Sequence, residues 1–289
     1  MPASRKLIKS RITSVKNTRK ITKAMEMVAA SKMRKAVAAT LRGRPYVVLA
    51  KETIEAVMAK GGSELSHPML SPGKGEKELL IVFTSDRGLA GGFNGNMVKF
   101  ARMQMKELGG AVDVIGVGRK GSDALQRLKF DVIATFNGLA NAPKFADIVP
   151  VARLALDGFV QGKYQRVRLL YTHYVSGVTQ TPTMVTVLPY GEMGSGRESG
   201  IQSGGGYTVE PNPAELLSSV IPNLVMATFF QALLESSGSE HAARMLAMKN
   251  ASDAARDMMD SLTFTYNQVR QAAITQEIAE ISSGKAALE

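Results

Sequence analysis

Residues 240–284 read EHAARMLAMKNASDAARDMMDSLTFTYNQVRQAAITQEIAEISSG, with neither Pro nor Gly between Glu240 and Ser283. Stepping alternately three and four residues gives Met245, Met248, Ser252, Ala255, Met259, Leu262, Tyr266, Val269, Ala273, Gln276 and Glu280. Nine of these eleven are apolar, small or aromatic. That spacing lets one helix wind on another. A core helix of an ordinary globular domain would show a similar stripe. Length argues against it: a stretch of this size makes a rod of about 66 Å at ~1.5 Å per residue, which needs a partner.

The partner is sought at the other end of the chain. From Ser4, a candidate N-cap, to about Arg42 the residues favour helix. Ile8, Ile12, Val15, Thr18, Thr22, Met25, Ala29, Ala36 and Ala39 keep a mostly three-four spacing, with Lys32 as the exception on the stripe. Its small residues suit a close helix–helix contact. Gly43 and Pro45 are expected to loosen or kink this helix, and a second piece, Tyr46 to Lys60, stops at Gly61-Gly62. Neither seam alone hides its apolar side from water, so the two ends are expected to pair as an antiparallel coiled coil.

The charge is as uneven as the pattern. The chain carries +11 overall, and residues 1–44 hold thirteen Lys or Arg against one acid, Glu26. The remainder, with 23 bases and 24 acids, is close to neutral. A polyanion or an acidic protein surface is the expected neighbour of such a helix. An acid-poor start also resembles an organelle transit peptide, but the helical pattern continues past residue 30 without a cleavage-like break. Cys is absent, which removes disulfides and thiolate metal sites and suits a reducing compartment. Apolar runs fall short of about 18 residues, so no membrane span is expected.

Between the terminal helices the period changes. Residues 78–84, 111–115 and 131–136 are apolar runs typical of buried parallel strands, and Arg166–Tyr174 and Thr183–Leu188 read as later ones. Helical patterns at Gly95–Leu108, Ser122–Leu128 and Phe145–Val160 alternate with them, which argues for a small Rossmann-like α/β domain inserted between the helices. The expected division is an N-terminal coiled-coil helix at 1–60, an α/β domain at 76–190, a flexible loop and foot at 191–211, and a C-terminal coiled-coil helix at 212–289. Residues 189–206 include seven glycines and few apolar residues, so a mobile loop is expected there. Asn212-Pro213 supplies an N-cap and a first-turn proline; Pro222 is a candidate kink and Gly238 a soft point.

Three features are candidates for chemistry. Gly116-Val117-Gly118-Arg119-Lys120-Gly121 formally matches GxGxxG between a strand and a helix, yet the acidic residue expected at the end of the next strand is missing. On it rests the alternative of an NAD-type oxidoreductase. Thr84 to Asn94 could offer backbone N–H groups to an anion, or could be a tight turn in which Asp86 and Arg87 pair locally. His67, His173 and His241 have no ligand spacing among them. No nucleophile–base arrangement can be built, so no catalytic, cofactor-binding or metal site is expected. A second alternative is a helical nucleic-acid-binding protein using residues 5–44, although that stretch has no Phe, Tyr or Trp.

Four segments, in order along nearly the whole chain, resemble the gamma subunit of F-type ATP synthases, of the bacterial type. They are Ile21-Thr22-Lys23-Ala24-Met25-Glu26-Met27-Val28-Ala29-Ala30-Ser31-Lys32, Asp86-Arg87-Gly88-Leu89 with Gly91-Gly92, Glu240-His241-Ala242-Ala243-Arg244-Met245, and Arg270-Gln271-Ala272-Ala273-Ile274-Thr275-Gln276-Glu277. The family's closing Gly-Ala is replaced by Gly284-Lys285, which adds a charge near the tip.

The resemblance implies a non-catalytic rotor shaft without a cofactor of its own. It would stand in a hexamer of alpha and beta subunits and couple ion-driven rotation of the c ring to conformational cycling of catalytic beta. Met25, Lys32, Glu240, Arg244, Arg270, Gln271, Thr275 and Glu277 would meet the beta subunit. Tyr207 and Glu210 would lie in the foot near the c ring and the epsilon subunit, and Ile278, Ile281 and Leu288 would turn in an apolar sleeve. No nucleic-acid partner is implied. The implied location is peripheral, on the cytoplasmic side of the cell inner membrane, and reached only through the complex.

Overall fold

The computed structural model describes residues 2–61, 67–190 and 212–286. The glycine-rich stretch 191–206, Tyr207, Glu210 and Leu288 lie outside them. In chain order the elements are α1 (Pro2–Gly61), β1 (Lys77–Phe83), α2 (Phe93–Leu108), β2 (Val112–Val117), α3 (Arg119–Arg127), β3 (Asp131–Phe136), α4 (Phe145–Val160), β4 (Tyr164–Tyr174), β5 (Gln180–Leu188) and α5 (Pro213–Ala286). They form two compact units, Met1–Ala29 with Met245–Glu289, and Ala30–Arg244. The class is mixed α/β, with long helices at the two ends and a Rossmann-like insert.

In the first unit the helical seam falls where the three-four spacing puts it. On α5, Met248, Ser252 and Ala255 are buried, and Met245, Met259, Leu262, Tyr266, Val269 and Ala273 are half-buried. Gln276 and Glu280, the polar end of the stripe, are exposed and hydrogen-bond each other across 2.9 Å. On α1, Thr22 and Ala29 are buried and Ile8, Ile12, Val15 and Met25 half-buried. One position differs: Thr18 is exposed and Arg19 takes the seam slot. Either residue satisfies the spacing from Val15, and an arginine can bury its stem while its head stays wet.

The second unit is built on a five-stranded sheet of order β3-β2-β1-β4-β5. β1 pairs in parallel with β2 and β4, β2 with β3, and β5 returns antiparallel to β4. Along β1 the side chains alternate between two cores. Leu79, Ile81 and Phe83 pack with α4 and with parts of α1 and α5, including Ile54, Val57, Ile148, Val225 and Phe229. Leu80 and Val82 meet Met97, Ala101 and Leu125 of α2 and α3. Both faces are therefore covered, as the continuous apolar run required. At the amino end of the sheet, Asp113 receives Lys77 (2.8 Å), Lys163 (3.2 Å) and the Tyr164 hydroxyl (3.0 Å). Burial pushes its carboxyl up, but these three donors outweigh that and hold it below its ordinary value.

Two expectations about helix boundaries need correction. α1 begins at Pro2, so Ser4 lies inside it, and it runs unbroken through Gly43 and Pro45. Pro45 is exposed, so water can satisfy the carbonyl it leaves without a donor. Gly43 sits where a Cβ would come 3.1 Å from the Gln231 side chain, so it is a close-approach position and not a break. α5 likewise continues through Pro222 and Gly238. Its start is as expected: Asn212 accepts from the Glu215 N–H (2.8 Å) and donates to the Glu215 carboxylate (3.2 Å), a reciprocal cap. Finally, α5 is long and apolar enough, by length and composition only, to cross a membrane. Its first half explains this within the fold, because Leu217, Ile221, Leu224, Val225 and Phe229 are fully buried in the sheet's core.

Candidate functional site

The strand order reverses between β1 and β4, and the crevice beyond the carboxyl ends of such strands is where open α/β sheets bind ligands. Here α5 occupies it. Residues 232–242 of α5 are buried on every side of the helix. The Ser237 hydroxyl donates to the Ala140 carbonyl (2.7 Å) and that of Ser239 to the Thr172 carbonyl (3.0 Å). Glu235 meets the His173 ring at 2.6 Å, and Gln231 donates to the Thr40 carbonyl of α1. Each serine is a polar group that would be costly to bury unbonded, and each finds a loop or strand carbonyl.

The glycine motif has an equally internal explanation. A Cβ on Gly116 would lie 2.0 Å from Ser122 Oγ, one on Gly118 2.2 Å from the Thr84 carbonyl oxygen, and one on Gly121 2.2 Å from Thr84 Cγ2. Gly118 also has φ of +102°. The three glycines let α3 pack closely on its own sheet. The amides at the start of α3, which a pyrophosphate would need, are used up. Gly118 N–H donates to Phe136 O, Lys120 N–H to Ser85 O, Gly121 N–H to Thr84 Oγ1, and Arg119 N–H to Asp86 Oδ1. Asp86 thus stands where a bound anion would, and its other oxygen accepts from the Gly138 N–H at 3.0 Å. The oxidoreductase alternative is not supported. The turn reading of residues 84–94 holds, but Asp86 caps backbone amides; it does not pair with Arg87.

Arg244 closes the same corner. Its guanidinium donates to Glu240 (2.6 Å), to His241 Nδ1 (3.3 Å) and to the carbonyls of Arg87 and Gly88 (3.3 Å each). Only a neutral imidazole has the Nδ1 lone pair this requires. Consistently, burial first, then the charges of Arg244 and Lys32, press His241 down to about 4. Burial pushes the Glu240 carboxyl up, against the pull of Arg244. Lys32, half-buried, is hydrogen-bonded to Asn141. Glu240, Arg244 and Lys32 are therefore engaged within this chain.

The remaining expected positions among the described residues differ in exposure. Arg270, Gln271, Thr275 and Glu277 are exposed on α5 while Val269 and Ala273 turn into the seam. Ile278 and Ile281 are exposed, and Met25 is half-buried. Lys285 lies in α5. Among the described residues no group of His, Asp and Glu could hold a metal; His67 receives the Met69 N–H in a turn.

Paired terminal helices in one unit and, in the other, an α/β sheet whose crevice is filled by its own helix define a two-unit protein of long helices with an α/β insert. A family model described as ATP synthase matches residues 4–288. The chain belongs to that family, the gamma subunits of F-type ATP synthases, whose role is the central rotor shaft. Among solved structures, it is similar to a chain of the Tetrahymena thermophila mitochondrial ATP synthase central stalk and c ring, with 27% identity and a TM-score of 0.61 over 80% of this chain and 99% of that one. It shares its fold with a chain of the Euglena gracilis mitochondrial ATP synthase rotor, with 20% identity and a TM-score of 0.64 over 95% and 100%. A chain of the same organism's OSCP/F1/c-ring assembly gives 19% identity and a TM-score of 0.68 over 100% and 95%. The nucleic-acid alternative finds no support among these.

Proposed function

We propose that this chain is a non-catalytic shaft whose exposed outer α5 face is gripped and released by the beta subunits of an alpha–beta hexamer. The observation that carries the reading is the two-sidedness of α5 near its end: the seam residues Val269 and Ala273 face inward, while Arg270, Gln271, Thr275 and Glu277 are exposed. Exposed ion pairs and hydrogen bonds contribute only about 0–1 kcal/mol each, so such contacts can form and break in every cycle. Met25 and Lys32, each half-buried, would meet beta from α1 through the parts of their side chains left exposed, Lys32 while held by Asn141. Glu240 and Arg244 serve the same coupling by fixing the helix to the 86–88 turn. The rotation would come from the c ring, met with the epsilon subunit through a foot containing Tyr207 and Glu210. Ile278, Ile281 and Leu288 would turn in an apolar sleeve, and the complex would hold the chain at the cytoplasmic side of a cell inner membrane. The test is the double variant Arg270→Ala/Gln271→Ala in assembled enzyme. ATP synthesis should fall while the complex still assembles; unchanged synthesis would remove these residues from the grip.

A further inference from the structure

The middle of α1 is apolar on two opposite sides. One side is accounted for: Ala36 and Ile54 are buried, with Val47 packed against the core. At 100° per residue, the opposite side carries Ala38, Leu41, Pro45, Val48 and Leu49. Leu41 is 57% exposed, Val48 48% and Leu49 57%. Three large aliphatic side chains are thus left in water along about 12 Å of helix, at ~1.5 Å per residue. A surface helix whose outward face is merely solvated carries charged or polar residues there, and clustered exposed apolar groups mark a contact. The core explains nothing about this stripe, since it lies on the far side of the helix.

Charge says what the contact is with. Arg42 flanks the stripe on one side and Arg44 on the other, both exposed, and no acid occurs between Glu26 and Glu52. We infer that this face docks an acidic amphipathic helix of another polypeptide in the assembled enzyme. Its apolar ridge would cover Leu41, Val48 and Leu49, and its flanking carboxylates would meet Arg42 and Arg44. A helix fits because the stripe is straight, about two turns long and one side chain wide, the footprint of an i, i+3, i+4, i+7 ridge. The contact is separate from the beta grip on α5, so the two stand or fall independently.

The test uses the purified complex with a photo-crosslinking benzoylphenylalanine at Leu49, and a control at Lys129, exposed in the α3–β3 turn. Mass spectrometry should place the Leu49 product, and not the Lys129 product, on an amphipathic segment bearing Asp or Glu. The yield should fall at least tenfold when Arg42→Glu/Arg44→Glu is added, with the complex intact. A Leu41→Ser/Val48→Ser variant should lower the yield as much without changing chain content or helicity. Products on lipid acyl chains, on a segment without acids, or on no other chain would each overturn the inference. So would a yield indifferent to the charge reversal.

Discussion

The Arg244 guanidinium donates to the Gly88 carbonyl across 3.3 Å, joining residues 156 positions apart. Because the same side chain also holds the Arg87 carbonyl and buried Glu240, this one arginine ties α5 to the loop that follows β1. Removing it takes the partner from a buried carboxylate and from the Gly88 carbonyl, while the Arg87 carbonyl keeps the Ser85 hydroxyl. We expect Arg244→Ala to cost about 3–5 kcal/mol in chemical denaturation, the range for breaking a buried ion pair. The double variant Glu240→Gln/Arg244→Ala should recover part of that loss. A pair of equal, additive losses would show that the two side chains do not depend on each other.

The neutral His241 gives the corner a pH dependence of known sign. With a folded value of about 4 against 6.5 for the free side chain, the unfolded state binds more protons between those pH values. Stability contributed by His241 is therefore complete above about 6.5 and lost as pH falls toward 4, by at most ~1.4 kcal/mol per pH unit. Glu240, raised by burial, works in the opposite direction in the acid range. The clean measurement is the difference between wild type and His241→Gln. The variant should have the flatter stability–pH slope between pH 4 and 6.5, and parallel slopes would contradict the assignment.

The glycine motif should behave as a packing device. Gly121→Ala places a methyl group 2.2 Å from Thr84 Cγ2, and is expected to cost about 1–3 kcal/mol or more, the range for overpacking. NADH fluorescence titration of the wild-type chain should show no binding. Saturable binding lost in Gly121→Ala would reinstate the dinucleotide reading.

The small residues of the shaft seam set how closely its helices approach. Ala29 is 2% exposed, so Ala29→Leu should lower thermal stability by about 1–3 kcal/mol. Ala24→Leu on the exposed side of the same helix should change it by no more than ~0.5 kcal/mol. Equal effects would mean that the seam is not where the burial places it.

Much of this architecture was legible because it rests on periodicity. The seam from Met245 to Ala273 and the alternating β1 run are direct consequences of 3.6 and 2.0 residues per repeat. What escaped was of two kinds. Gly43 and Pro45 read as breakers because their context is invisible in one dimension: a neighbouring helix for the first, an exposed helix face for the second. Asp86 and Arg244 were legible as members of a family motif, but not as caps and clamps. Their acceptors and donors at Arg119, Gly138 and Gly88 lie 33, 52 and 156 residues away, and no local spacing encodes them. The exposed positions Arg270, Gln271, Thr275 and Glu277 came from the resemblance alone; the fold adds that the helix turns them outward.

The claim that this chain is a rotating shaft can be tested on a single molecule. The chain has no cysteine, so Thr181→Cys, exposed at the start of β5, gives it a single thiol for a gold particle, in a complex whose other subunits carry no reactive thiol. With the complex fixed to a surface through its beta subunits, ATP should drive the particle round in one direction and its exhaustion should stop it. A particle that stays still while the same labelled complex hydrolyses ATP would contradict the account.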